Sequence, residues 1–219
     1  APAGCGGSHY IKKFKPRGYK MKRHQILASK TIAIDIPKKS VAGIALGVAF
    51  FALLTAVGAY VRIPLPFTPV PITMQVMFVL LCGAALGPVY GATSQALYVV
   101  IGILGLPAFS AAGGGFSYLL GPTGGYIVGF VAAQFIVGSI IKTREDKRAS
   151  FLRVCIAMAA GLAVIHLFGA IHLKTFLAAS WSVTLSAGFI PFIFIDSLKA
   201  ASAACFFMAF RNRFGYLFS

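Results

Sequence analysis

The sequence predicts an all-α integral membrane protein, a six-transmembrane-helix bundle, on three observations. Of 219 residues 58% are hydrophobic and only 11% charged, and the mean hydropathy is +0.86, outside the range of soluble globular domains. The apolar residues collect in runs of about span length, parted by polar, Pro-rich or Gly-rich segments. The charge is segregated as well: of the 20 Lys and Arg residues behind the net charge of +16, half precede Ser40 and five more fall between Lys142 and Arg153. Basic clusters placed between apolar runs read as cytoplasmic loops and contacts to anionic lipid. A lipid bilayer is therefore the expected partner, and no nucleic acid is expected.

Residues 1–40 form a basic N-terminal tail without an apolar segment and cleavage site, so no secretory signal is expected there. Within it, residues 1–20 read as an appended or upstream segment ahead of a natural start at Met21. The membrane domain is placed at 41–210 and a cytoplasmic tail at 211–219. The first span, 41–61, carries Ala45, Ala49, Ala52, Ala56 and Ala59 at alternating steps of four and three. Such a stripe of small side chains lets another helix approach closely in a bilayer; docking of a partner and packing within the bundle both fit it. Residues 62–71 hold four prolines and cannot be regular helix. A short second helix is expected over 73–86, a tight turn at 87–91, and a third helix over 92–104 carrying Ser94, Gln95 and Tyr98. The stretch 105–126 contains the triplet 113–115 of consecutive glycines, yet lacks GxxxxGK[ST] and a preceding strand, so it is no phosphate loop. Irregular backbone of this hydropathy belongs where it lines a cavity or is buried in protein. A fourth helix is expected over 123–141, with Gly121, Gly125, Gly129 and Ala133 spaced for close packing. A charged loop follows at 142–150, then a fifth helix over 151–173, a connection holding Lys174 and Trp181, and a sixth helix over 187–210.

Six spans put the three basic segments on one side, as the positive-inside rule requires of a cytoplasmic face; five or seven would not. The Pro-rich loop, the Gly-rich loop and the 173–186 connection then share the outer face, with Trp181, Phe109 and Tyr118 as apolar surface of a binding mouth. Three of the four acids, Asp35, Glu145 and Asp146, lie in basic segments; the fourth, Asp196, lies inside an apolar run. An ionisable side chain at membrane depth costs roughly 2.5–3.5 kcal/mol and needs a partner. Lys199 supplies one at i+3 on the same helix face. The pair is either a structural ion pair or a polar handle in a ligand cavity. Gln75 and Gln95 likewise are either interhelical hydrogen bonds or ligand groups. His166 and His172 are six apart and read as satisfied or lipid-edge residues; with no HExxH or GxSxG and one intramembrane carboxylate, no enzyme is expected and no catalytic residue is assigned. No metal or cofactor site is expected either, and the three cysteines in apolar runs, Cys82, Cys155 and Cys205, read as reduced, buried thiols.

Pro66-Phe-Thr-Pro-Val-Pro-Ile-Thr-x-Gln75, Leu86-Gly-Pro88, Ser94-Gln95-x-x-Tyr98, Gly105-Leu-Pro107-x-Phe109, Gly113-Gly-Gly115, Gly121-Pro-Thr-Gly-Gly-Tyr126 and Pro191-Phe-x-x-x-Asp196-x-x-Lys199 together resemble the BioY family, the biotin-specific S components of energy-coupling factor (ECF) transporters. The resemblance spans 41–210. It implies a bundle of the ECF S-component type that captures biotin from outside, in the cell (plasma) membrane with both termini cytoplasmic. It also implies delivery through a transmembrane coupling subunit with two cytoplasmic ATPases. By the same resemblance Asp196, Lys199, Gln75, Gln95, Tyr98, Phe109, Gly114 and Tyr126 are the expected biotin site, and Ala45, Ala49, Ala52 and Ala56 the docking face for the coupling subunit. Two poses stay open. Asp196 accepts from a ureido N–H while Lys199 or a glutamine donates to the ureido oxygen; or Lys199 binds the valerate carboxylate and Asp196 orients it. Arg62 and Lys174 are further candidates for the carboxylate. Two departures stand out: Phe194-Ile195 where family members commonly read Pro-Gly, and His166 where an aromatic or aliphatic residue is expected. The rival readings are the same fold serving another vitamin, and a structural membrane protein with Asp196–Lys199 as an ion pair.

Overall fold

The structure, a computed structural model, describes residues 41–141 and 149–217. The N-terminal tail and the basic loop at 142–148 lie outside the described residues. The elements are α1 (Val41–Tyr60), the strands β1 (Arg62–Ile63) and β2 (Ile72–Thr73), α2 (Gln75–Ile103), a 3-10 turn (Ser110–Ala112), α3 (Phe116–Leu119), α4 (Gly124–Ile141), α5 (Phe151–Leu177), α6 (Trp181–Gly188) and α7 (Ile190–Leu217). Among the described residues five segments are long and apolar enough to cross a membrane. One of them, α2, is folded back on itself, so six apolar segments run through the bundle.

The fold in α2 falls at Gly87, with φ 80° and ψ −174°. No side chain is tolerated in that region, so glycine is required. Pro88 then restarts the helix at once, its fixed φ and missing N–H suiting a first turn. The two limbs run antiparallel: Gln75 Nε2 donates to the Tyr98 hydroxyl at 2.6 Å, and Cys82 Sγ faces Gly91 O at 3.9 Å. The expected five-residue turn is thus a single-residue reversal, and the first limb, at 1.5 Å per residue, is only about 18 Å long. Gln134 of α4 is fully buried and donates through Nε2 to Val79 O at 3.1 Å, tying α4 to that limb.

α4 packs along α5 through its glycines: a Cβ at Gly129 would lie 3.0 Å from Ile165 Cα, and one at Gly125 would overlap His172. The close-packing face expected from the spacing is therefore spent inside the bundle. Three boundaries differ from the sequence reading. α5 extends to Leu177. The connection after it is mostly the helix α6, capped by Ser180, whose Oγ accepts from Val183 N. α7 runs on to Leu217, so Arg211 and Arg213 belong to the last helix rather than to a tail; Arg211 donates to Ala149 O at 3.0 Å. That contact, with the packing of Gly138 against Gly87 and Pro88, gathers one set of helix ends. The β1–β2 ribbon, the 104–123 segment and α6 gather at the opposite end, with Met74 N bonded to Gly58 O and His172 Nε2 to Gly121 O at 2.9 Å.

Candidate functional site

α7 buries one face, formed by Phe192, Asp196, Lys199, Ala200, Ala203 and Phe207, at the three- and four-residue spacing of a helix. Asp196, the one carboxylate among the described residues, is 4% exposed. Lys199, 7% exposed, donates through Nζ to Asp196 Oδ1 at 2.8 Å and to Thr73 O at 2.6 Å. The lysine thus ties the last helix to β2 of the Pro-rich loop. His166 of α5 approaches the other carboxylate oxygen, Nε2 to Oδ2 at 3.2 Å.

These groups border a cavity with about 520 Å³ of space between the lining atoms, its mouth included. Val70, Ile72, Thr73 and Gln75 line one side. Ser110, Tyr118 and Thr123 line another, from the glycine-rich segment. Tyr126, Ile127 and Phe130 come from α4, His166 from α5, and Phe192 and Asp196 from α7. Mostly apolar walls with a few converging polar groups are what a site for a small organic molecule requires. Two of those polar side chains are orphaned. Ser110, 5% exposed, and His166, 4% exposed, have no hydrogen-bond partner at Oγ or at either ring nitrogen among the described residues. Buried polar atoms are rarely left this way, since each costs about 1–3 kcal/mol.

Of the residues expected at the site, Gln75, Tyr126 and Asp196 line the cavity. Tyr126 is fixed by its hydroxyl, which donates to Gly188 O at 2.6 Å. Lys199 stands behind Asp196, its ammonium held by Thr73 O and the carboxylate. Tyr98 and Phe109 back the wall instead of forming it. Tyr98 orients Gln75 through their hydrogen bond, and Phe109 stacks on Tyr118 at 4.9 Å, which faces the cavity. Gln95 points elsewhere: it is fully buried and donates to Thr55 Oγ1 at 3.2 Å, an interhelical bond between α2 and α1. Gly114 packs against the loop, where a Cβ would lie 2.6 Å from Leu106 O. For these residues the polar or close-packed character visible in the sequence meets protein atoms. Neither Arg62 nor Lys174 lines the cavity; Arg62 is exposed and Lys174 sits over the exposed Trp181 ring at 5.2 Å. His166 is neither at the lipid edge nor satisfied. The sequence did carry a signal for it: it shares a buried face with Leu162, Ile165, Gly169 and Leu173.

The alanine stripe of α1 divides. Ala45 and Ala49 are exposed, Ala56 is half-buried, and Ala52 and Ala59 are 2% and 0% exposed against the bundle. Ala52 is therefore interior packing, whereas Ala45 and Ala49 lie on an open face beside Leu46, Phe50 and Leu53. Among the described residues no group of His, Cys, Asp or Glu side chains converges as a metal site.

The profile of the BioY family matches residues 30–216. The biotin transporter BioY of Thermotoga maritima is 40% identical over 154 residues, 70% of this chain and 87% of that protein. A probable biotin transporter BioY from Pyrococcus horikoshii is 41% identical over 156 residues, 71% of this chain and 88% of its own length. Among solved structures, the 2.1 Å crystal structure of the S-component for biotin from an ECF-type ABC transporter superposes with a TM-score of 0.70. That match covers 91% of this chain and all of the other, at 23% identity, and shows the shared fold. A bundle of six apolar segments with its cavity under two loops, matched by this profile along most of its length, belongs to the BioY family.

Proposed function

We propose that this protein is the substrate-capture subunit of a vitamin uptake system: it binds biotin and hands it inward with an ECF energising module. The observation that carries this is the position of Asp196, buried yet at the wall of a largely apolar cavity under the loops. The names of its relatives, biotin transporters, point the same way. Biotin brings a neutral ureido ring with two N–H donors and one acceptor, a thioether ring and a valerate chain. Asp196 accepts from a ureido N–H, a charge-assisted hydrogen bond of roughly 1.5–3 kcal/mol, and Tyr118, Tyr126 and Phe192 enclose the rings. The engagement of Lys199 Nζ by Thr73 O and Asp196 supports the ureido ring, rather than the carboxylate, at Asp196.

The end bearing the loops faces outward. The end bearing Arg211 and Arg213 faces the cytoplasm, as the positive-inside rule favours. The partners are a transmembrane coupling subunit, meeting the exposed Ala45 and Ala49 face of α1, and two cytoplasmic ATPases. Equilibrium binding of biotin to the purified full chain tests the reading. Asp196→Asn, compared at a temperature where it remains folded, weakens binding about thirtyfold, the equivalent of ~2 kcal/mol. Unchanged affinity would remove Asp196 from the site, and tighter binding of thiamine or riboflavin than of biotin would reassign the ligand.

A further inference from the structure

We infer that His166 is a ligand-contacting, specificity-determining residue that works with Asp196 as a two-point clamp on the N–H/C=O edge of the ligand's cyclic urea. The inference rests on the proposed biotin function and gives the ureido oxygen a donor beside the carboxylate that takes the ureido N–H. Lys199 is set behind Asp196 and does not line the cavity, and Gln75 spends one of its two amide N–H groups on Tyr98. Gln95 bonds Thr55.

His166 lines the cavity, is 4% exposed, and has no hydrogen-bond partner at Nδ1 or Nε2 among the described residues. Its Nε2 stands 3.2 Å from Asp196 Oδ2, without hydrogen-bond alignment. The ring is held edge-on by two aromatic neighbours, Tyr126 at 6.1 Å between centroids and Phe189 at 5.3 Å, with interplanar angles of 87° and 86°. A ring held this firmly, with Nδ1 unpaired and Nε2 beside the carboxylate but unaligned with it, is preorganised for a further partner.

The spacing suits a urea. From the C=O and C–N bond lengths, the oxygen and nitrogen of one urea edge lie about 2.2 Å apart. An acceptor and a donor separated by 3.2 Å, Asp196 Oδ2 and His166 Nε2, can therefore engage that edge in two roughly parallel hydrogen bonds. The N–H of the ligand meets the carboxylate and its carbonyl meets the imidazole N–H. Such acceptor–donor pairs discriminate sharply, because an analogue lacking one group leaves a buried polar atom unpaired. Phenylalanine at 166 would keep the aromatic packing and lose the donor.

The test measures equilibrium binding of three probes to the purified full chain: biotin, desthiobiotin, which keeps the urea, and 2-iminobiotin, which replaces the urea oxygen with nitrogen. His166→Phe is compared with wild type, with thermal melting as the control for folding. The expected result is a loss of about tenfold for biotin and desthiobiotin alike, ~1.4 kcal/mol, with 2-iminobiotin affinity little changed, so that the preference for the urea oxygen collapses by the same factor. His166→Gln, which retains an N–H donor, recovers part of the loss. Unchanged biotin affinity in His166→Phe, or an equal loss for all three probes, overturns the clamp while leaving the biotin reading intact. A wild-type chain that binds no biotin overturns both.

Discussion

The buried Asp196–Lys199 pair allows stability and ligand capture to be separated by a double-mutant cycle. At 2.8 Å between Nζ and Oδ1, the gross attraction is about 6 kcal/mol for an effective dielectric constant of about 20. Most of this is offset by the cost of bringing both charges into a site where they are 4% and 7% exposed. Removing both should therefore be nearly neutral, whereas removing one strands the other at roughly 3–5 kcal/mol. The two single variants should also differ. In Lys199→Met the carboxylate keeps His166 at 3.2 Å, but in Asp196→Asn the ammonium retains as full acceptor only Thr73 O. Asp196→Asn is thus expected near the upper end, and Lys199→Met near the lower. At about 2–4 °C per kcal/mol for a chain of this size, detergent melting should fall by roughly 10 °C in Lys199→Met, by about 15 °C in Asp196→Asn, and by only a few degrees in Asp196→Asn/Lys199→Met. Biotin affinity, measured by calorimetry on the same samples, should stay weakened at least thirtyfold in the double variant. A double variant as unstable as the worse single one would refute the coupling. One that recovers biotin binding would refute the assignment of Asp196 to the ligand.

Three further outcomes follow from the packing. Ala49→Trp should leave melting and biotin binding unchanged while abolishing copurification with a coupling subunit; Ala52→Trp, at a 2% exposed position, should lose several kcal/mol of stability by overpacking, seen as lost monodispersity in gel filtration. Gly138→Ala would drive a Cβ into Gly87 and Pro88 and should lower the melting temperature by about 5 °C or more, whereas biotin affinity at low temperature changes little. Tyr98→Phe removes the acceptor that holds Gln75 and should weaken biotin binding a few-fold, about 1 kcal/mol, while Gln95→Leu should change melting alone, because Gln95 bonds Thr55 and does not line the cavity.

The spans were legible in the sequence because membrane burial depends on composition over some twenty residues, and the runs beginning at Val41, Gly124 and Phe151 carry it plainly. The reversal at Gly87-Pro88 was legible as a break but not as a one-residue hinge, since that required knowing that the two limbs pair. α6 escaped notice because an eight-residue helix on Ser180 leaves too short a pattern to stand out from a connecting segment. α7 ran past its expected end because Arg211, read as a tail, finds an acceptor at Ala149 that only the packed bundle provides.

The candidate site divides along a similar physical line. A polar side chain in an apolar span announces that it needs a partner, and the chain alone does not say whether that partner is protein or ligand. Tyr98 finds Gln75, and Lys199 finds Thr73 and Asp196, so their needs are met within the bundle, while Gln95 gives its Nε2 to Thr55 and keeps a buried Oε1 without a partner, away from the cavity. Ser110 and His166 keep unpaired atoms at a cavity wall; a loop serine is commonplace, and His166 stood out in the sequence only as a departure, since a single histidine is most often satisfied. What distinguishes them is an empty hydrogen-bonding position at the wall of a largely apolar cavity, a property of the assembled helices. The same reasoning ranks the variants. Substituting a satisfied residue should register first in melting, and substituting an unsatisfied one first in the choice between biotin and an analogue altered at the matching atom.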